Sequence, residues 1–418
     1  MSVYVLSKLI TDNIIKADKK AFIQEQGLWS QFNRSPDHDY RAFFQDCINE
    51  GTITREDFSN FLFEHIFWGQ ERECFIYKIY RINYDISTRG NLLSIVKENY
   101  INIESLHYNR IMYANEDFEL NDLVALNVKY NIKNELLRIR MVFAQTVNVI
   151  LNKIAKKTIS YITVEIDMNS KKMYIKVAPK TGVIDKDKMP DKLNAMYYAK
   201  ISKMFDVSTN PYNNIHKETI CNISKDLYNQ VYEEMVTTKP KELDDYIKAS
   251  SSGLIKLMNI SNMEFKIAAN NVFNVNDSLT KIVENILISD ILYGIKEGED
   301  LHNVDGVVTY LKFSDGKNIS ARLKGKNCRD PIFDSEAFMS LRSAIDNSQR
   351  IIRLEVMWLQ NIERLRVTYD SSNLEFLNIH FYRNLTEQEF YYGLEKYEQY
   401  ERNNRKPSKG ISPMEATS

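Results

Sequence analysis

The sequence predicts an α+β protein, with a mainly helical N-terminal region plus two modules built on antiparallel hairpins or sheets packed with helices. Three observations carry that prediction. Apolar residues recur at helical spacing within residues 1–130, apolar and polar residues alternate over 159–177, and two strand-like runs flank an Asp-Gly pair at 315–316. At roughly 100–200 residues per domain, a chain of 418 residues makes two or three. The pattern divides the chain into a helical region (1–130), a first hairpin-helix module (131–210), a helical middle (211–300), a C-terminal β-β-α-β-β-β module (301–392) and a charged tail (393–418) expected to be disordered.

In the helical region, Thr54 precedes Asp57 at capping-box spacing, and Phe58, Phe61, Leu62, His65 and Ile66 follow on one helical face. The run Ser35-Pro36-Asp37-His38-Asp39 marks a turn or helix start. Residues 136–150 alternate like a strand only in their first half. The 159–177 stretch reads as a hairpin with one buried face. Ile162, Val164 and Ile166 alternate with Thr163, Glu165 and Asp167, Met173, Ile175 and Val177 alternate with Tyr174 and Lys176, and Met168-Asn169-Ser170-Lys171 turns the chain. Pro190 opens a helix whose apolar stripe is Leu193, Met196, Tyr197, Ile201, Met204 and Phe205.

The middle region carries two more apolar stripes, Ile220, Ile223, Leu227 and Val231 on one helix and Leu279, Ile282, Val283, Ile286 and Leu287 on another. Lys239-Pro240 and Ser250-Ser251-Ser252-Gly253 read as loops between them. In the last module, residues 307–313 and 319–323 flank Ser314-Asp315-Gly316-Lys317, and Asp-Gly suits a tight hairpin because both central residues of such a turn take positive φ. Asp334 is placed to cap a helix that turns Phe338, Leu341 and Ile345 inward, and strands follow at 351–359, 365–369 and 374–381. Leu377, Ile379 and Phe381 alternate with Asn378 and His380, so this sheet is expected to be antiparallel and half exposed. Phe390, Tyr391, Tyr392, Tyr397 and Tyr400 are expected to pack a terminal helix against the last sheet or a partner.

Fifty-five Lys and Arg against 56 Asp and Glu leave a net charge of -1, so any signal for a polyanionic partner must be local. Cys47, Cys74, Cys221 and Cys328 lie far apart and read as reduced structural thiols. The first residues do not resemble a secretory leader, and no apolar run approaches the roughly 20 residues that span a bilayer, so a cytoplasmic protein without membrane contact is expected. The six histidines form no metal-binding pair, and phosphate-loop, dinucleotide and serine-elbow motifs are missing from the sequence. No cofactor is expected. The abundance of Ile, Lys, Asn and Tyr points to an AT-rich gene and a bacterial antiviral-defence or mobile-element setting.

Two basic clusters fall on the two hairpins, where a positive sheet edge suits phosphate contacts. The first centres on Lys171, Lys172 and Lys176, outnumbering Glu165 and Asp167. The second is Lys317, Arg322, Lys324, Lys326 and Arg329 with Lys312, around Asp315 alone. Tyr161, Tyr174 and Tyr310 lie close by in sequence and offer rings for base stacking. The best enzyme-like pattern is Glu264-Phe265-Lys266 with Asp245 upstream, since Glu-x-Lys on a strand would set a magnesium-binding carboxylate beside a lysine. A non-enzymatic nucleic-acid-binding or complex-forming protein is therefore the expectation. The alternatives are a magnesium-dependent nuclease and a structural protein–protein interaction subunit, with a homo-oligomer among the expected assemblies.

Overall fold

The structure is a computed structural model that describes residues 4–35, 38–69, 72–113, 122–151, 153–258, 275–297, 303–314, 320–327, 330–333, 335, 337, 338, 341, 345, 351–359 and 364–404. It is an α+β fold whose described strand pairings are all antiparallel. The strands are β1 (Arg72–Ile82), β2 (His107–Asn109), β3 (Asp122–Tyr130), β4 (Leu136–Leu151), β5 (Ile154–Asp167), β6 (Lys172–Val177), β7 (Val207–Asn210), β8 (Gly306–Ser314), β9 (Ser320–Lys324), β10 (Ile351–Trp358), β11 (Leu365–Asp370) and β12 (Leu377–Phe381). The chain divides into two compact units, Met1–Asn213 with Asn373–Tyr392, and Asn214–Ser372 with Gly393–Ser418. No described helix is long and apolar enough to cross a membrane.

The first unit begins with short helices and the longer Arg55–Trp68 helix, which opens as its sequence predicts. Thr54 accepts from the Asp57 amide at 3.0 Å, and its hydroxyl donates to the Asp57 carboxylate at 2.6 Å. Phe22, Phe44 and Phe58 bury their rings against one another in this helical layer. The sheet behind it runs β2-β3-β4-β5-β6-β1-β12, with β7 also on β1. One face is apolar. Phe75, Ile139, Met141, Phe143, Ile162, Val164, Met173 and Ile175 pack there with Leu193, Tyr197 and Ile201 of the Pro190–Phe205 helix and Leu92 and Val96 of the Arg89–Asn99 helix.

The opposite face corrects the expectation of a hairpin with one wet side. Glu165, Asp167, Lys172 and Lys176 are buried on it, and every residue of β6 is buried. Register explains how charge survives there, because Arg138 lies opposite Asp167, Arg140 opposite Glu165, and Asp167 opposite Lys172 on adjacent strands. The Arg55–Trp68 helix covers part of this face, and the start of the Glu387–Asn404 helix supplies Glu387 and Tyr391 to it.

In the second unit the sheet runs β11-β10-β8-β9, and the Ile215–Thr238 helix packs on β8 and β10. Ile220, Ile223, Leu227 and Val231 are buried on that helix as expected.

Other expectations need amending. Residues 1–130 contain three strands, and β4 is a strand throughout its length. Ser250 to Gly253 lies inside the Glu242–Leu257 helix, where Ser251 and Ser252 satisfy their hydroxyls on the Lys248 carbonyl at 2.9 Å each. The Val275–Glu297 helix buries Ile288, Leu292 and Ile295, leaving Ile282 and Ile286 exposed. Instead of breaking at Gly393, the terminal helix continues to Asn404, with Phe390 and Tyr397 buried. The Asp315-Gly316 turn and Asp334 lie outside the described residues.

Candidate nucleic-acid interface

Alternation gives each strand of the second unit one face toward the Ile215–Thr238 helix and one away from it. Leu311, Phe313, Leu323, Ile351 and Leu354 are the buried set. The pairing registers stack the remaining side chains into two cross-strand rows, Arg322–Lys312–Arg353–Asp370 and Lys324–Tyr310–Glu355–Thr368. Lys312, Arg322 and Lys324 are exposed, while Arg353 and Tyr310 are half-buried.

The negative groups in these rows are already engaged. Glu355 accepts two bonds from Arg366, at 2.9 and 3.0 Å, and one from the Thr309 hydroxyl at 2.7 Å. Asp370 stands 3.9 Å from Arg353. Among the described residues, no ion pair involves Lys312, Arg322 or Lys324. Lys312 and Arg322 sit directly opposite each other on neighbouring strands, a like-charge pairing that costs stability by itself. An anion lying across the hairpin would relieve that repulsion.

Just beyond β9 the chain turns tightly. A Cβ on Gly325 would meet the Asp330 carbonyl oxygen at 2.2 Å, so only glycine fits, and Asp330 accepts from the Asn327 amide at 3.0 Å and pairs with Lys296 at 3.2 Å. Exposed Lys326 is held in this turn. Lys317 and Arg329 lie outside the described residues.

The first hairpin divides differently. Lys171 is exposed at a left-handed turn position, with φ of 50°, whereas Lys172 and Lys176 are buried. Lys176 Nζ lies 3.4 Å from the centroid of Trp68, 4.3 Å from those of Phe67 and Phe390, and 4.0 Å from Glu165. Burial draws its pKa down to about 7, against the pull of Glu165. Glu165 in turn accepts from the Tyr391 hydroxyl at 2.6 Å, and Glu387 accepts from Arg138 at 2.9 Å and Arg140 at 2.6 Å. Lys172 and Lys176 are thus buried within the first unit and are not a surface for phosphate.

Glu264 and Lys266 lie outside the described residues, and Asp245 is exposed on the Glu242–Leu257 helix. Among the described residues, no group of three or more His, Cys, Asp or Glu side chains is placed to hold a metal ion. Arg353 is the functional candidate that sequence reading missed. Its signal was faint, since Arg353 becomes a neighbour of Lys312 only through the pairing of β10 with β8.

No family model matches this chain, and no curated protein matches it.

Proposed function

We propose that the chain is a non-enzymatic nucleic-acid-binding protein whose contact surface is the β8–β9 hairpin face, with Lys312, Arg322, Lys324 and Arg353 on phosphates and Tyr310 beside them to stack on a base. Lys317, Lys326 and Arg329, close by in sequence, extend the set. The observation that carries this reading is the register-opposed, exposed pair Lys312 and Arg322, neither with a counter-ion among the described residues. A cytoplasmic site of action and an antiviral-defence or mobile-element role belong to the same reading, on composition.

Fluorescence anisotropy with a labelled single strand and a labelled duplex tests it. The logarithm of affinity should fall linearly with the logarithm of salt, by about 0.7 per phosphate contact for a single strand and 0.9 for a duplex. The triple variant Lys312→Gln, Arg322→Gln, Lys324→Gln should lower that slope by about 2–3. Salt-independent binding, or an unchanged slope in the variant, would refute the reading.

One observation favours complex formation as a second reading. Tyr246 and Leu257 on the Glu242–Leu257 helix, and Ile282, Ile286 and Tyr293 on the Val275–Glu297 helix that packs against it, are all exposed large apolar side chains. Light scattering over a range of concentrations checks it, a strictly monomeric mass counting against self-association.

A further inference from the structure

A cavity of about 590 Å³ opens in the first unit between the Arg55–Trp68 helix and the outer strands β2 and β3. That volume is in the range of small-molecule sites. The helix turns one face to it, for Glu56, Ser59, Asn60, Phe63 and Glu64 recur at i, i+3, i+4, i+7 and i+8 and all line the cavity. Opposite them stand His107 of β2 and Asn127 of β3, which are paired in register. Phe63, Met112 and Leu126 give the cavity a buried apolar floor.

The charges are unevenly placed. Glu56 and Glu64 face the cavity with Arg55 as the formal cation, and Arg55 rests its guanidinium over the Tyr4 ring, 5.8 Å from the centroid. At 1.5 Å rise per residue, the eight steps from Glu56 to Glu64 set the two residues about 12 Å apart along the helix axis. A linear molecule with a cation at each end and methylenes between them matches carboxylates at that spacing over an apolar floor.

We propose that this cavity binds a linear polyamine, one terminal ammonium on Glu64, the other on Glu56, and the methylene chain across Phe63, Met112 and Leu126. The site is separate from the hairpin face and does not depend on the nucleic-acid reading.

Isothermal titration of the full chain with spermidine at low salt tests it, beside the shorter diamine putrescine. Spermidine should bind saturably and at least about tenfold more tightly than putrescine, which cannot reach both carboxylates. Glu64→Gln and Glu56→Gln should each weaken spermidine by about tenfold, as the loss of a charge-assisted hydrogen bond implies. Lys324→Gln should leave it unchanged. Both glutamates are exposed at the helix surface, so the variants should fold, and far-UV circular dichroism verifies this. Absent saturable heat, equal affinity for the two amines, or wild-type affinity in the folded double variant would overturn the proposal.

Discussion

Arg72 is the first residue of β1, is 4% exposed, and has no hydrogen-bond partner at any of its three guanidinium nitrogens among the described residues. Burial pulls its pKa from 12.5 down to about 9, with the Cys74 thiol the one group opposing that shift, while Arg72 itself helps depress Lys180. At about 1.4 kcal/mol per pKa unit, the drop opposes the charged folded form by roughly 5 kcal/mol. Arg72→Met keeps the length and apolar stem of the side chain and removes the charge. Replacing buried ion pairs by apolar groups of similar volume has gained about 1–4 kcal/mol, and for this unpaired charge a gain of at least the lower end of that range is expected.

Urea unfolding measures the gain directly. A thermal scan should show Tm rising by about 2–4 °C for each kcal/mol in a unit of this size. Because the guanidinium is charged in both states below pH 9, the gain should be the same at pH 6 and pH 8. A loss of stability of more than about 1 kcal/mol would refute the reasoning, since removing an unpaired buried charge removes its desolvation cost.

Two further outcomes are expected. The Tyr369 hydroxyl accepts from Trp358 Nε1 at 3.0 Å and donates to the Gly393 carbonyl at 2.7 Å, so Tyr369→Phe leaves both groups buried without this partner and should cost about 2–3 kcal/mol in urea unfolding. Lys176 is drawn by burial to about 7 and Lys180 to about 8, both below their unfolded value of 10.5. Between those limits the unfolded chain binds more protons, so stability from these groups is lowest below pH 7 and rises with pH, by up to about 1.4 kcal/mol per pH unit for each. Lys176→Met should flatten the rise measured between pH 7 and 9, and an unaltered slope would count against it.

Much of the local structure was legible in residue order because it depends on neighbours a few positions apart. Thr54 and Asp57 make their capping box within one turn, Pro190 starts its helix because its missing N–H costs nothing there, and alternation located β5, β6 and β12. The failures have physical causes too. Ser250 to Gly253 looked like a loop by composition, yet serine hydroxyls bonded to the preceding turn are compatible with a helix. On the Val275–Glu297 helix many apolar residues surround the axis, so composition did not choose the inward stripe.

The sequence by itself determined the α+β class, the Thr54-capped and Pro190-started helices and the β5–β6 hairpin with its apolar face, all set by short-range periodicity and capping. Only the tertiary structure decided which charges reach solvent. Lys176 and Lys324 look alike in a basic hairpin, but Lys176 has Trp68, Phe67, Phe390 and Glu165 around it from distant parts of the chain, while Lys324 stands on an exposed strand beside Arg322 and Tyr310. A side chain's own strand fixes which face it occupies. Whether that face is wet depends on what the rest of the chain lays over it, and contacts between residues far apart in sequence leave no period to read.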